Sequence, residues 1–404
     1  MLSPPPAVTG SARRARWAVA ALFFLNGAVY ANLVPRLPEI KSSLELSNAA
    51  LGTAIAAVPI GALAAGPLAP AMIRTWGSGR VAAIGMACLA TSVALVPFAW
   101  AWPALAAAFL AVGASDSVAD VGQNTHGFRV QRLYGRSLMN TFHALWSVGA
   151  VAGGLLGAAA AAASIPLTLH VGIATAAFVA VALAALRNTL PGADPARDEG
   201  PPATQGRPRE RAGPRTIWML AALGVLAACE AFVQDAGSSW GALFLADELG
   251  VAAGLAGAAF VAMQTAMTAG RLAGDPLVDR FGQRRIARLG GAVVAVGMSI
   301  GLLWPSPATA ILGFALAGLG VATLYPAVMH TADELPGLGH GVGIAVVSWL
   351  LRVGFLLSPI VLGILADQIG LAGALWTMVA AGLIVAVVGR VLLRSAASRG
   401  PLTA

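Results

Sequence analysis

Asp116, Asp120 and Asn124 stand at spacings of four in the run GASDSVADVGQNTHG (113–127), inside an apolar segment covering 103–128. Four residues is about one helical turn, so all three share one stripe of a helix. A carboxylate near the centre of a bilayer costs roughly 2.5 to 3.5 kcal/mol on insertion scales, and such groups usually line a solute pathway or carry a proton. The alternative is a structural pair that shares one proton and bonds to neighbouring helices. Spacing alone leaves open which of Asp116 and Asp120 titrates, because a coupled pair titrates as a unit.

Other polar residues fall near mid-depth when about 1.5 Å of rise is counted per residue. Asn26 and Tyr30 lie one turn apart in the first apolar stretch, and His143, Trp146 and Ser147 share a face of the fifth. Glu230 and Gln234 lie one turn apart in the seventh, Gln264 falls in the eighth and Arg352 in the eleventh. Glu230 joins the two aspartates as a candidate proton-coupling group, since a carboxyl held in oil is suited to carrying a proton. Asn26, Tyr30, Asn124, His143, Trp146, Gln234, Gln264 and Arg352 are the candidate substrate-binding residues. Two readings stay open for several of them. Arg352 either clamps an anionic group or bridges two helices permanently. His143 binds solute or only a backbone carbonyl, and Trp146 walls a cavity or simply packs.

The remaining histidines show no metal-ligand spacing, and no nucleophile–base pair or phosphate-binding loop is present. The sequence therefore points away from an enzyme, a metal site or a cofactor.

These groups need an apolar scaffold. Of 404 residues, 58% are hydrophobic and 10% charged, which excludes an ordinary soluble domain. Breaks at Pro, Gly and charge clusters divide the chain into twelve apolar stretches long enough to cross about 30 Å of hydrocarbon. Six fall in 17–187 and six in 216–394. Residues 188–215, rich in Pro, Arg and Gly, read as a linker, and 1–16 and 395–404 as tails. The expected fold is an all-α integral membrane protein with two pseudo-symmetric six-helix bundles. The two halves repeat: Gly77 and Gly282, Gly113 and Gly318, and Gly149 and Gly354 are each 205 apart. Cys88 and Cys229 both lie in apolar stretches, which excludes a disulfide framework.

The net charge of +8 is distributed by side. All of the 25 basic residues except Arg36, Lys41 and Arg352 fall on one face of the twelve-crossing scheme. Lys and Arg accumulate on cytoplasmic loops, so both termini are expected in the cytoplasm, and the basic balance reflects topology, with no nucleic-acid partner. The glycines at 149, 153, 154 and 157 are explained by close helix crossing.

The run GDPLVDRFGQRRI (274–286) resembles the loop signature of the major facilitator superfamily. In that resemblance Asp275, Asp279, Arg280, Gly282, Arg284 and Arg285 form a conformational-lock loop, in which Asp279 and Arg280 can pair. Asp275 stands where the family usually has glycine, and the first-half loop has Arg74 where an acid is expected. RLPEIK at Arg36, DVGQN at Asp120, SLMNTFHALWSVG at Ser137 and CEAFVQDAGSSWGALFL at Cys229 are similar to the MosC-like group of that superfamily. The Asp120-x-x-x-Asn124 spacing also resembles that of fucose-type proton symporters, which nominates Asp120 as the proton carrier. The resemblance implies a secondary transporter in the bacterial inner membrane. It would move a small polar solute, such as a sugar or polyol, together with protons by alternating access, as a monomer in the lipid bilayer. Efflux by proton antiport is the alternative, and a non-transporting sensor or scaffold a more distant one.

Overall fold

The computed structural model describes residues 10–135, 138–192, 213–338 and 342–393. The tail before residue 10, most of the expected linker (193–212), the tail at 395–404, Ser137 and His340 lie outside the described residues. The helices run α1 (Gly10–Ala31), α2 (Leu37–Ser43), α3 (Asn48–Ile55), α4 (Ala57–Ala65), α5 (Ala69–Trp76), α6 (Ser78–Val93), α7 (Trp102–Tyr134), α8 (Met139–Ala162) and α9 (Leu167–Leu186). They continue as α10 (Pro214–Asp235), α11 (Gly241–Leu243), α12 (Ala253–Ala256), α13 (Ala258–Phe281), α14 (Gln283–Leu303), α15 (Pro307–Val321), α16 (Leu324–Asp333) and α17 (Val342–Val388).

Proline sets five of the breaks. Its ring displaces the carbonyl four residues earlier and supplies no N–H to it. Accordingly α1 ends at Ala31, four before Pro35; α3 ends at Ile55, four before Pro59; α6 ends at Val93, four before Pro97. Gly66 and Ala322 cap α4 and α15, four before Pro70 and Pro326. The stretches 49–73 and 308–330, which the sequence presents as unbroken, are therefore each assembled from shorter helices. A second kind of break interrupts 216–245, where π-helical turns at Ala236–Trp240 and Phe244–Glu248 flank α11.

Among the described residues, ten stretches are long and apolar enough to cross a membrane. One of them, Val342–Val391, is 50 residues long and breaks at Gly370, whose φ of 78° is left-handed. It thus supplies two crossings. α13 adds another with 24 residues, its charged end keeping its average hydropathy low. The fold is the twelve-crossing helical membrane architecture expected from the sequence.

The chain forms two compact units, Met1–Arg197 with Ala252–Gly257, and Asp198–Val251 with Ala258–Ala404. In the first, α7 packs along both α4 and α6, and α1 along α8 and α9. In the second, α10 packs along α17, and α14 along α15 and α17. Small residues allow this closeness where lipid gives no hydrophobic drive between helices. A Cβ placed on Gly149 or Gly153 of α8 would strike the carbonyl oxygen of Phe24 or Ala28 on α1, and one on Gly157 that of Asn32 just past its end. In the second unit Gly354 of α17 meets the backbone of Ala228 on α10 in the same manner, its Cβ falling 3.0 Å from that carbonyl oxygen. The repeat of 205 is thus also a repeat of packing. The paired turns match too: Gly77 has φ 82° and ψ 148°, Gly282 φ 83° and ψ 140°.

A buried network pins the end of α1. Arg36, 2% exposed, donates to Glu39 at 2.6 Å, to the Ile165 carbonyl at 2.9 Å and to His170 Nδ1 at 3.3 Å. Accepting there leaves the His170 proton on Nε2, which donates to Asn32 at 2.9 Å.

Gly149→Val is expected to cost about 1–3 kcal/mol by overpacking α8 against α1. Gly172→Ala, where nothing lies within 4 Å of the new Cβ, serves as the neutral comparison. Thermal unfolding of the solubilised protein separates the two, and equal stability of both variants would contradict the packing described.

Candidate functional site

In the first unit, three helices converge on one carboxylate. Asn26 of α1 donates from Nδ2 to Asp116 Oδ1 of α7 at 2.7 Å, and Trp146 of α8 donates from Nε1 to Asn26 Oδ1 at 2.9 Å. An indole N–H can only donate, so it fixes which way the Asn26 amide faces and turns its NH₂ toward Asp116. Asn26 is buried, whereas Asp116 and Trp146 are half-buried.

One turn along α7, Asp120 accepts from side chains of its own helix. Its Oδ1 accepts from Asn124 Nδ2 at 2.9 Å and from Gln123 Nε2 at 3.2 Å. Asn124 also bonds the Asp120 carbonyl at 2.9 Å. The two carboxyls are electrostatically coupled. The stripe read from the sequence is therefore real as geometry: Asp116 is bonded by a neighbouring helix, and Asp120 accepts from the two amides that follow it on α7.

Close by, the exposed His143 ring sits edge-on to Phe23 at 5.2 Å, and half-buried Tyr30 is edge-on to Phe109 at 6.4 Å. Ser147 donates back to the His143 carbonyl at 3.3 Å. The residues the sequence selects from the first half thus gather on α1, α7 and α8.

The second unit offers a different arrangement. Glu230 on α10 is 3% exposed, and the charge it feels most is that of Arg271 on α13. Sequence reading counts Arg271 among the loop charges. Its position one residue inside the end of the eighth apolar stretch was the available signal. Gln264, two turns before Arg271 on α13, is 4% exposed, and its Oε1 is without a hydrogen-bond partner. Gln234 is half-buried, and Asp235 accepts from Ser239 at 3.1 Å where the π-helical turn begins. Arg352 on α17 is exposed and has no hydrogen bond or ion pair among the described residues. No permanent bridge is formed there.

The loop between α13 and α14 departs from expectation in one respect. Arg280 stacks over Phe281, 5.2 Å from the ring centroid, and Asp279, exposed, makes no ion pair with it. Residues adjacent on a helix do not face one another, so Asp279 and Arg280 diverge. Asp275 lies on the same helix, while Gly282 forms the left-handed turn and Arg284 and Arg285 open α14.

Isolated charges on long apolar helices, with a polar cluster among them, mark a polytopic membrane protein with a polar site within its apolar span. A family model described as Major Facilitator Superfamily matches residues 223–403. The membrane protein MosC of Rhizobium meliloti is 28% identical over 373 residues, covering 91% of this chain and 88% of that protein. The crystal structure of a mutant form of the nucleoside transporter NupG superposes with a TM-score of 0.75 at 13% identity, covering 93% of this chain and 98% of that one. A D-xylose-proton symporter gives a TM-score of 0.70 at 14% identity, covering 93% and 97%. In the sequence of its second half and in its fold the chain resembles the major facilitator superfamily, whose members are transporters of small molecules rather than enzymes.

Removing Asn26 tests the three-helix contact. A double-mutant cycle of Asn26→Ala with Asp116→Ala, read by thermal unfolding, is expected to show a coupling of about 0.6–1.7 kcal/mol, the range measured for hydrogen bonds between helices in membranes. Simple additivity would mean that the bond contributes nothing.

Proposed function

We propose that this protein is a proton-coupled secondary transporter of a small polar organic solute such as a sugar or polyol. The observation that carries this reading is the Asp116–Asn26–Trp146 contact beside Asp120. It is an ionisable pair inside an apolar helix whose charge is read by side chains of two neighbouring helices. Asp120, Asp116 and Glu230 take the proton-coupling role. Asn26, Tyr30, Asn124, His143, Trp146, Gln234, Gln264 and Arg352 contact solute, with Arg352 available because it is already committed to no partner.

In this reading, proton binding and solute binding favour different members of an alternating-access equilibrium, and neither ligand moves that equilibrium unless its affinity differs between states. The two bundles are 17–187 and 216–394, joined by the linker 188–215, and the protein works as a monomer. The loop from Asp275 through Asp279, Arg280, Gly282, Arg284 and Arg285 holds one conformation. The basic loops face the cytoplasm of a bacterial cell, which puts both termini inside and the protein in the inner membrane. The two fold relatives are named for a nucleoside and for D-xylose with a proton. They support the solute class and the coupling without selecting one compound.

Proteoliposomes carrying a trapped pH dye provide the test. Among a panel of sugars, polyols and nucleosides, at least one is expected to drive proton entry in the wild type and none in Asp120→Asn or Asp116→Asn, both folded as judged by size-exclusion profile. Solute-driven proton entry undiminished in both variants would sink the coupling assignment.

A further inference from the structure

α7 packs along α6 and also touches α5, which follows α4 in the chain. Between α5 and α6 lies a furrow of about 220 Å³ with α7 as its floor, walled by Met72, Trp76, Ile84, Cys88, Ala114 and Val118. Its lining is almost wholly apolar. Trp76 is 50% and Ile84 41% exposed, and on a membrane-crossing surface that exposure is to lipid. The Trp76 end of the furrow abuts the Gly77 turn, and Arg74 and Arg80 stand on either side of that turn, both exposed.

The charge at this turn is uncompensated. Among the described residues neither Arg74 nor Arg80 has a hydrogen bond or ion-pair partner. The corresponding turn of the second half, 205 residues on, carries Asp279 where the first carries Arg74. The segment 74–80 contains two guanidinium groups and no carboxylate. Guanidinium groups bind phosphate through paired, charge-assisted hydrogen bonds, and Trp is favoured at the headgroup level of a bilayer.

We propose that this furrow is a binding site for an anionic glycerophospholipid. One acyl chain lies between α5 and α6, and the phosphate is held by Arg74 and Arg80. From Val81 to Cys88 the furrow wall runs seven residues, roughly 10 Å along α6, enough for the upper part of one chain. The lipid supplies the negative charge that the first turn lacks and the second carries in its own sequence.

Cys88 reports occupancy directly, because it lines the furrow and the other cysteine, Cys229, is buried. Purified full-length protein in detergent is titrated with phosphatidylglycerol or with phosphatidylcholine of the same chains. The alkylation rate of Cys88 and the lipid retained in native mass spectrometry are then followed. Phosphatidylglycerol is expected to slow alkylation and to be retained where phosphatidylcholine is not. The Arg74→Gln/Arg80→Gln variant, altered only at exposed positions, is expected to weaken that preference by about tenfold or more. Ile84→Trp, which fills the furrow, is expected to reduce lipid retention with both arginines in place. The proposal is overturned by equal protection from the two lipids, by an unchanged preference in the double-arginine variant, or by inorganic phosphate protecting Cys88 as well as the lipid does.

Discussion

A peptide group in hydrocarbon has no water to bond, so each must find its partner within its own helix or from a neighbour that comes very close. Both halves of that condition shape this protein. At five prolines the chain stops the helix four residues earlier and then resumes, at Ala31, Ile55, Gly66, Val93 and Ala322, while Pro276 and Pro359 are carried inside α13 and α17. Where helices must meet, glycine brings backbone against backbone, as α8 does on α1. The site inherits its precision from this. Asn26 lies one position before Gly27, and Trp146 three before Gly149, so the side chains that bond across α1 and α8 sit where the helices are pressed together.

Much of this was legible in the sequence because hydrophobic length and the spacing of glycine are local signals. Twelve crossings, the repeat of 205 and the shared stripe of Asp116, Asp120 and Asn124 follow from counting. The proline breaks were equally local, yet 49–73 and 308–330 read as continuous because apolar composition persists through them. What counting does not reach is which side chain on one helix faces which on another. Asp116 and Asp120 are equivalent by spacing, and only the packing of α1 and α8 distinguishes the carboxyl that is bonded across helices from the one capped by Asn124 and Gln123. Arg271 hides for a related reason, since it lies at the border between span and loop and only the fold brings it within reach of Glu230.

The two units are alike in packing and unlike in charge. The α8 contact on α1 has its counterpart in α17 on α10, and the left-handed turn at Gly77 in that at Gly282. The first unit places two aspartates on one helix among amide and indole donors. The second sets a buried glutamate against an arginine and leaves another arginine uncommitted. Duplicated backbone with divergent polar content thus gives one scaffold two chemically different polar sites, one in each unit.

The bond sequence from Trp146 to Asn26 to Asp116 has a direction. The indole hydrogen points at the amide oxygen and the amide hydrogen at the carboxyl, and neither nitrogen releases its hydrogen near neutral pH. This chain therefore conveys orientation but cannot conduct protons: it is a dead end on the side of α1 and α8. Oδ2 takes no part in that chain and Oδ1 keeps a second lone pair, so a proton that reached Asp116 would have to arrive by a route other than the amide and the indole.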